Sequence, residues 1–147
     1  MRIEILTLFP AICEAPLSES MMKRARESGK VEIRVHNLRN WAKDKHRTTD
    51  DMPFGGGQGM VMKAEPIFAA VEELQKTSNA QHPTSNTELQ RPKVILMSPT
   101  GRKFNQKLAS ELSTESRLSL FAVTTRESII ASSSTLSMTR FRLAIMC

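Results

Sequence analysis

Aromatic residues and cysteines are scarce in this sequence. Aromatic residues make up 5% of the 147, with one tryptophan and no tyrosine. The two cysteines, Cys13 and Cys147, stand at opposite ends of the chain and match no metal-ligand spacing. No apolar run approaches the ~20 residues needed to span a bilayer, and the first residues lack the basic-then-apolar order of a signal peptide. These absences predict a reduced, cytoplasmic protein with no membrane segment and no metal site.

Acidic residues are fewer than basic residues. The chain has 15 acidic and 21 basic side chains, a formal net charge of +6 and an isoelectric point near 9.7. This balance favours an anionic partner, and nucleic acid is the commonest one for a cytoplasmic protein. The length and the 39% hydrophobic content allow one domain with a real core.

Strand and helix patterns alternate along the chain, which predicts an α/β fold with a mostly parallel sheet and flanking helices. Pro16 is expected to split the first helix, Ser18 to cap its second half, and Gly29 to end it. The predicted strands are residues 2–9, 31–36, 93–97 and 117–123, and the predicted helices are 11–28, 64–76 and 105–114. The polar stretch 77–90 between the second helix and the third strand is predicted to be a disordered surface insertion.

A glycine-rich stretch, residues 46–62, interrupts this alternation as a long polar loop. Three consecutive glycines are entropically costly to order, so they indicate a positive φ angle or a close approach of the backbone to a ligand or partner. The stretch matches neither the Walker phosphate loop nor the dinucleotide fingerprint, and a flexible surface loop is the alternative reading. The candidate residues are His46, Arg47, Asp50, Asp51, Gly55, Gly56, Gly57 and Gly59.

A second candidate site follows the third predicted strand, in the sequence M-S-P-T-G-R. Small and ring residues at the carboxyl end of a strand leave backbone groups free to face a ligand, and in open α/β sheets that crevice is the usual binding position. An ordinary strand-to-helix turn is the alternative.

Three segments together carry a family resemblance: I-L-T-L-F-P near the N-terminus, H-R-T-T-D-D-M-P-F-G-G-G-Q-G-M-V-M, and V-I-L-M-S-P-T-G-R-K. In this order they resemble the bacterial tRNA (guanine-N1)-methyltransferases, which modify position 37 of tRNA. The resemblance covers residues 1 to about 120, apart from the polar insertion. It implies a knotted (SPOUT-type) methyltransferase fold, S-adenosylmethionine as cofactor, tRNA as substrate and a homodimer.

The resemblance also assigns roles to the two candidate sites. It implies a first cofactor loop formed by Met97, Ser98, Pro99, Thr100 and Gly101. It places His46, Arg47, Asp50, Asp51 and the glycine loop toward the substrate guanosine and the subunit interface. The family's usual catalytic base is an aspartate beyond the last residue of this chain, so no catalytic residue is assigned here.

The resemblance stops after about Phe121. The family continues with C-G-x-Y-E-G-I-D and S-I-G-D-Y-V, whereas the segment from Phe121 onward has no glycine, proline or aspartate. Back-translation with a one-base shift permits C-G-H-Y-E-G-I-D and S-I-G-D-Y-V from Ala122 onward. Because methionine has one codon, two steps of this reading are forced, and both agree with the family. We therefore interpret residues 122–147 as an out-of-frame tail with no native fold, in which the knot-forming part is lost or garbled; a truly divergent segment is the alternative.

Two classes of function follow from these observations. The first is a tRNA methyltransferase, with the chain as written expected to be inactive because the later cofactor loops are missing. The second is a non-catalytic basic RNA-binding module. Sequencing the gene around the Phe121 codon would test the proposed frameshift directly.

Overall fold

The structure of the chain, a computed structural model, describes residues 1–52, 59–81, 93–122 and 138–142. In chain order the elements are β1 (Arg2–Thr7), α1 (Pro10–Leu17), α2 (Ser20–Glu27), β2 (Glu32–Asn37), a 3-10 helix (Leu38–Trp41), β3 (Asp50–Asp51), β4 (Val61–Met62), α3 (Ala64–Gln81), β5 (Lys93–Lys103), α4 (Gln106–Ser113), β6 (Arg117–Ala122) and β7 (Met138–Arg142).

The chain divides into two compact units, which we call the sheet unit and the hairpin unit. Of the described residues, the sheet unit contains 1–37, 93–122 and 138–142, and the hairpin unit contains 38–52 and 59–81. Each is described by itself below.

The sheet unit is built on a five-stranded sheet in the order β2-β1-β6-β5-β7. Each pair of neighbouring strands in this sheet is parallel over the described residues. The four strands expected from alternating or continuous apolar patterns therefore lie in one sheet, and the predicted fold class is confirmed. Parallel neighbours need crossover connections, which explains why helical segments separate the strands in the sequence.

One face of this sheet is apolar and is covered by α4. Leu108 and Leu112, one helical turn apart, are buried against Ile95 and Leu118 of β5 and β6. The side chain of Asn105 caps the helix by accepting a hydrogen bond from the backbone N–H of Leu108 at 2.9 Å. The predicted helix over 105–114 is confirmed, and its apolar spacing identified the correct buried pair.

The first predicted helix does divide, but at a different place and for a different reason. Pro16 lies inside α1, and the break comes after Leu17. Ser18 closes α1, because its hydroxyl donates to the carbonyl oxygens of Glu14 and Ala15, both at 2.9 Å. The expectation that Ser18 caps the second helix was wrong: the N-cap of α2 is Glu19, which makes no side-chain capping bond. Gly29 does follow the end of α2, with a positive φ of 68°.

The opposite face of the sheet carries a buried carboxylate, Glu4 of β1. Glu4 is fully buried, and its oxygens meet Arg2 Nε at 2.6 Å, His36 Nε2 at 2.5 Å and Arg117 Nη2 at 3.4 Å. These partners come from β1, β2 and β6, so the cluster links three adjacent strands. Burial raises the pKa of Glu4, but the hydrogen bond from His36 and the positive charges around it outweigh this effect, and the pKa lies below its ordinary value.

The hairpin unit is organised around α3. Its buried residues Ile67, Ala70, Val71 and Leu74 recur at helical spacing. The 3-10 helix packs against α3, and Trp41 Nε1 donates to a carboxylate oxygen of Glu73 at 2.8 Å. The helix is longer than the sequence predicts, because it continues through 77–81, which we had placed in the disordered insertion. After Pro66 in its first turn, no glycine or proline occurs until Pro83 to end the helix. Residues 82–90 of that insertion lie outside the described part.

Five residues of the interpreted out-of-frame tail have regular structure. Met138–Arg142 forms β7 and pairs with β5 in parallel, although no strand was expected there. The other strands leave one edge of β5 open, and an open edge offers unpaired backbone groups to any chain segment that can extend along it. The remaining residues after Ala122 lie outside the described ranges, so the out-of-frame interpretation stays a prediction.

Candidate functional site

The two ends of the glycine-rich loop are joined at their base. Asp50 pairs with Met62 and Asp51 with Val61 in a short antiparallel ladder between β3 and β4. Beside this ladder, the backbone N–H of Lys63 donates to the carbonyl oxygen of Thr49 at 2.8 Å. β3 and β4 therefore form the base of a β-hairpin, which the sequence did not predict.

The structure describes only part of the loop itself. Residues 53–58 lie outside the described ranges, and with them Gly55, Gly56 and Gly57. Gly59 is described and has a φ of 109°, a backbone conformation that side chains with a Cβ rarely adopt. Apart from its chain neighbours, no described atom lies within 4 Å of where a Cβ on Gly59 would stand, so among the described residues the positive φ is what favours glycine here.

A compact turn precedes the hairpin and contains His46 and Arg47. The backbone N–H of Arg47 donates to the carbonyl oxygen of Asp44 at 3.0 Å, and Arg47 has a positive φ of 51°. The Asp44 carboxylate accepts hydrogen bonds from the hydroxyl of Thr48 at 2.6 Å and from its backbone N–H at 3.0 Å. These bonds hold the pKa of Asp44 below its ordinary value, with the Thr48 hydroxyl as the largest cause. The lowered pKa favours the ionised form of Asp44, and its hydrogen bonds to Thr48 close the turn.

Thr49, between this turn and β3, is fully buried, and its hydroxyl finds no hydrogen-bond partner in the described structure. We expect Thr49→Val to raise the free energy of unfolding by about 1 kcal/mol, because valine has a similar shape and leaves no buried polar atom unpaired. Chemical denaturation with urea measures the change. Thr48→Val is the matched control and should lower stability, since it removes the hydroxyl that Asp44 accepts; a Thr49→Val protein less stable than the wild type would contradict the prediction.

The second candidate site lies at a break in a strand pairing. Met97 and Arg102 of β5 are both aligned with Phe141 of β7, so the ladder is interrupted over 98–101. Among the described residues, the pairing of β5 with β6 also extends no further than Met97 opposite Ala122. The segment Met97–Gly101 thus belongs to the extended strand β5 and is not the strand-to-helix turn that was the alternative to a ligand-binding segment. Its backbone nevertheless leaves the ladder with β7 inside a strand of the parallel sheet, which suits it to contact a ligand.

The candidate residues divide between the two units. His46, Arg47, Asp50, Asp51 and Gly59 belong to the hairpin unit. Met97, Ser98, Pro99, Thr100 and Gly101 belong to the sheet unit. The sequence analysis missed the bonds from Thr48 to Asp44, although an aspartate four residues before a threonine in a polar stretch is a local signal for such a turn.

Outside the two candidate segments, the described residues form a groove but no metal-binding group. A groove of about 590 Å³ lies between α2 and β2 and is lined by Lys23, Arg26 and Gly29, among others, but by none of the candidate residues. The described ranges contain no group of three or more His, Cys, Asp or Glu side chains that could hold a metal ion. In the same ranges no helix is long and apolar enough to cross a membrane.

Comparison with known proteins identifies the family. The model of the tRNA (guanine-1)-methyltransferase TrmD family matches residues 1–129. The chain belongs to the tRNA (guanine-N1)-methyltransferase family. A relative from Chloroflexus aggregans is 49% identical over 120 residues, and one from Geobacter sp. strain M21 is 52% identical over 115. These alignments cover 82% and 78% of this chain.

A solved member of this methyltransferase family has the same fold. The crystal structure of tRNA (m1G37) methyltransferase from Aquifex aeolicus superimposes with a TM-score of 0.69 at 33% identity, covering 82% of this chain and 50% of that one. The chain spans 43% and 42% of the length of the Chloroflexus and Geobacter relatives. Less than half of each relative therefore corresponds to the sequence described here.

Proposed function

We propose that the gene encodes an enzyme that transfers a methyl group to N1 of guanine at position 37 of tRNA. The observation that carries this proposal is the family match over residues 1–129, together with relatives near 50% identity that are named tRNA (guanine-N(1)-)-methyltransferases. The net charge of +6 is consistent with an RNA substrate. We further propose a cytoplasmic homodimer, as the resemblance implies.

We assign S-adenosylmethionine to the segment Met97–Gly101. The interruption of the β5–β7 ladder fits such a cofactor, because backbone N–H and C=O groups that leave a ladder can bind the polar groups of a nucleoside. When bound, this cofactor supplies an electrophilic methyl group. In this assignment the residues of the chain hold and orient it where β5 leaves its ladder with β7.

We assign the other candidate residues to the substrate guanosine and the subunit interface. His46 and Arg47 lie on the turn closed by Asp44, and Asp50 and Asp51 lie on β3. All four therefore precede the three consecutive glycines, on ordered backbone of the hairpin unit. Transfer to N1 of guanine requires that its proton be removed, and a carboxylate suits that role. We assign the role to no residue of this chain.

We also propose that residues from about 122 onward are read out of frame. The support is the run of shifted codons that fits the family motifs, including the two steps that methionine forces. The segment Met97–Gly101 would then be present without its companion cofactor loops, and the 147-residue chain as written would be inactive. No observation favours the alternative of a dedicated non-catalytic RNA-binding module.

The test is methyl transfer by the protein read through after insertion of one base near the Phe121 codon. We expect transfer from labelled S-adenosylmethionine to unmodified tRNA carrying guanine at position 37. A tRNA with adenine at that position is the control and should accept no methyl group. If the read-through protein is folded and dimeric but leaves the guanine unmodified, the proposed function is wrong.

A further inference from the structure

The hairpin unit carries a concentration of positive charge in one short segment. Residues 39–47 contain four lysine or arginine side chains and a single acid, Asp44. We call the exposed part of this segment, Lys43–Arg47, the basic turn. Its cationic side chains Lys43, Lys45 and Arg47 are exposed, and none forms an ion pair with a described carboxylate.

The acid inside the turn is already engaged. The Asp44 carboxylate accepts hydrogen bonds from the hydroxyl and the backbone N–H of Thr48, so its oxygens stabilise the turn itself. Nearby Lys63 contributes to keeping Asp44 ionised. Because this carboxylate is held by Thr48, the neighbouring lysine and arginine side chains remain available to an external anion.

The turn is held in place at both ends. Before it, the 3-10 helix is tied to α3 by the bond from Trp41 to Glu73. Arg39 Nη1 donates to the carbonyl oxygen of Arg47 at 3.4 Å across the turn. After it, Thr49 and Lys63 close the base of the hairpin. The backbone that carries these cations is therefore held in one conformation, which lowers the conformational entropy lost when an anion binds.

We propose that the basic turn binds the phosphate backbone of the tRNA substrate. This inference rests on the proposed function and extends it to a surface for which lysine and arginine are the suitable residues, since phosphate contacts position a nucleic acid without reading its sequence. An anionic membrane is a poorer partner, because the turn reads K-D-K-H-R and offers no apolar side chain to enter a lipid surface. The lysine and arginine side chains of the turn thus contribute affinity and register. Arg47, which we assign toward the substrate guanosine, contacts phosphate in this proposal and not the base.

The experiment measures binding of unmodified tRNA to the 147-residue chain by fluorescence anisotropy between about 50 and 200 mM salt. The test variant is Lys43→Gln/Lys45→Gln/Arg47→Gln. We expect affinity to fall about tenfold or more, and the slope of log affinity against log salt to become shallower by about 2–3, because each lost phosphate contact removes ~0.7–0.9. The loss should be equal for tRNA and for an unrelated RNA of the same length.

The matched control is Lys23→Gln/Arg24→Gln/Arg26→Gln on α2, which removes the same charge from exposed positions of the other unit. It should change affinity much less than the test variant. A second variant, Lys43→Arg/Lys45→Arg, keeps the charge and should keep the binding. Thermal melting of each variant should match the wild type, since the substituted side chains are exposed.

Each other outcome overturns the proposal. Equal losses in the test and control variants would show that net charge alone drives binding. No loss in the test variant would place the RNA elsewhere, while methyl transfer by the read-through enzyme would still stand. A loss of affinity confined to one RNA sequence would show that the turn recognises bases and not the phosphate backbone. Equal dependence of binding to anionic lipid vesicles on these residues would make the surface a membrane site.

Discussion

Replacing Glu4 by alanine is expected to lower the free energy of unfolding by about 3–5 kcal/mol. Glu4 is fully buried and lies within ion-pair distance of Arg2, His36 and Arg117. Its removal leaves two guanidinium groups with side chains only 19% and 14% exposed facing each other without the carboxylate between them. Breaking a buried ion pair by removing one partner is costly because the remaining charge has lost both water and its counter-charge.

The control for this variant is Glu32→Gln, in the same cluster. Glu32 pairs with Arg34 at 2.6 Å and with Arg2 at 3.9 Å, but its side chain is 53% exposed. Exposed ion pairs contribute about 0–1 kcal/mol, so Glu32→Gln should be nearly neutral in the same urea titration. Equal effects of the two substitutions would show that the Glu4 cluster is no more than a surface charge network.

The contribution of Glu4 should also depend on pH in a defined direction. The pKa of Glu4 is below its ordinary value of 4.5 in the folded protein, so folding favours the ionised carboxylate. The stability it adds is complete above that ordinary value and is lost as the pH falls through the lower folded value. The difference in unfolding free energy between wild type and Glu4→Gln should therefore shrink on acidification below about pH 4.5. A difference that grows in acid would contradict the assigned charge state.

The 147-residue chain is expected to bind S-adenosylmethionine at least about a hundredfold more weakly than the read-through protein, a difference of about 2.7 kcal/mol. The chain holds only the Met97–Gly101 segment of the proposed cofactor site. The motifs C-G-H-Y-E-G-I-D and S-I-G-D-Y-V, whose glycines allow close approach of the backbone, exist only in the shifted frame. Titration calorimetry measures both affinities. Micromolar binding by the chain as written, about −8 kcal/mol, would defeat the frameshift argument.

A corrected 147-residue protein separates restored motifs from restored length. It carries the inserted base and a stop codon placed so that the product has the same length as the present chain. If the motifs matter, it should bind the cofactor more tightly than the chain as written. If only the full read-through protein binds, the later part of the enzyme supplies the missing contacts, and the shifted motifs alone are insufficient.

Regular elements with strong periodicity were predictable because local pattern and tertiary environment agree. The period-two strands of the sheet and the Leu108–Leu112 spacing of α4 each expose one apolar face, and burial of that face specifies the element. The division between α1 and α2 was harder, because Ser18 can bond either backward or forward and the sequence does not say which. The same holds for 77–81, where polar composition suggested an insertion but no residue stops the helix.

The sequence by itself determined the family, the parallel α/β class and the location of both candidate segments. The family, the fold class and the candidate segments could be read from the sequence because they depend on local motifs and on the spacing of hydrophobic residues. Only the tertiary structure decided that β3 pairs with β4 on either side of the glycines, and that Ser98–Gly101 leaves the ladder between two residues aligned with Phe141. It also decided that Glu4 is buried among cations from three strands. Each of these depends on pairing between residues far apart in the chain, and the register of such pairing is set by neighbouring strands rather than by the segment itself.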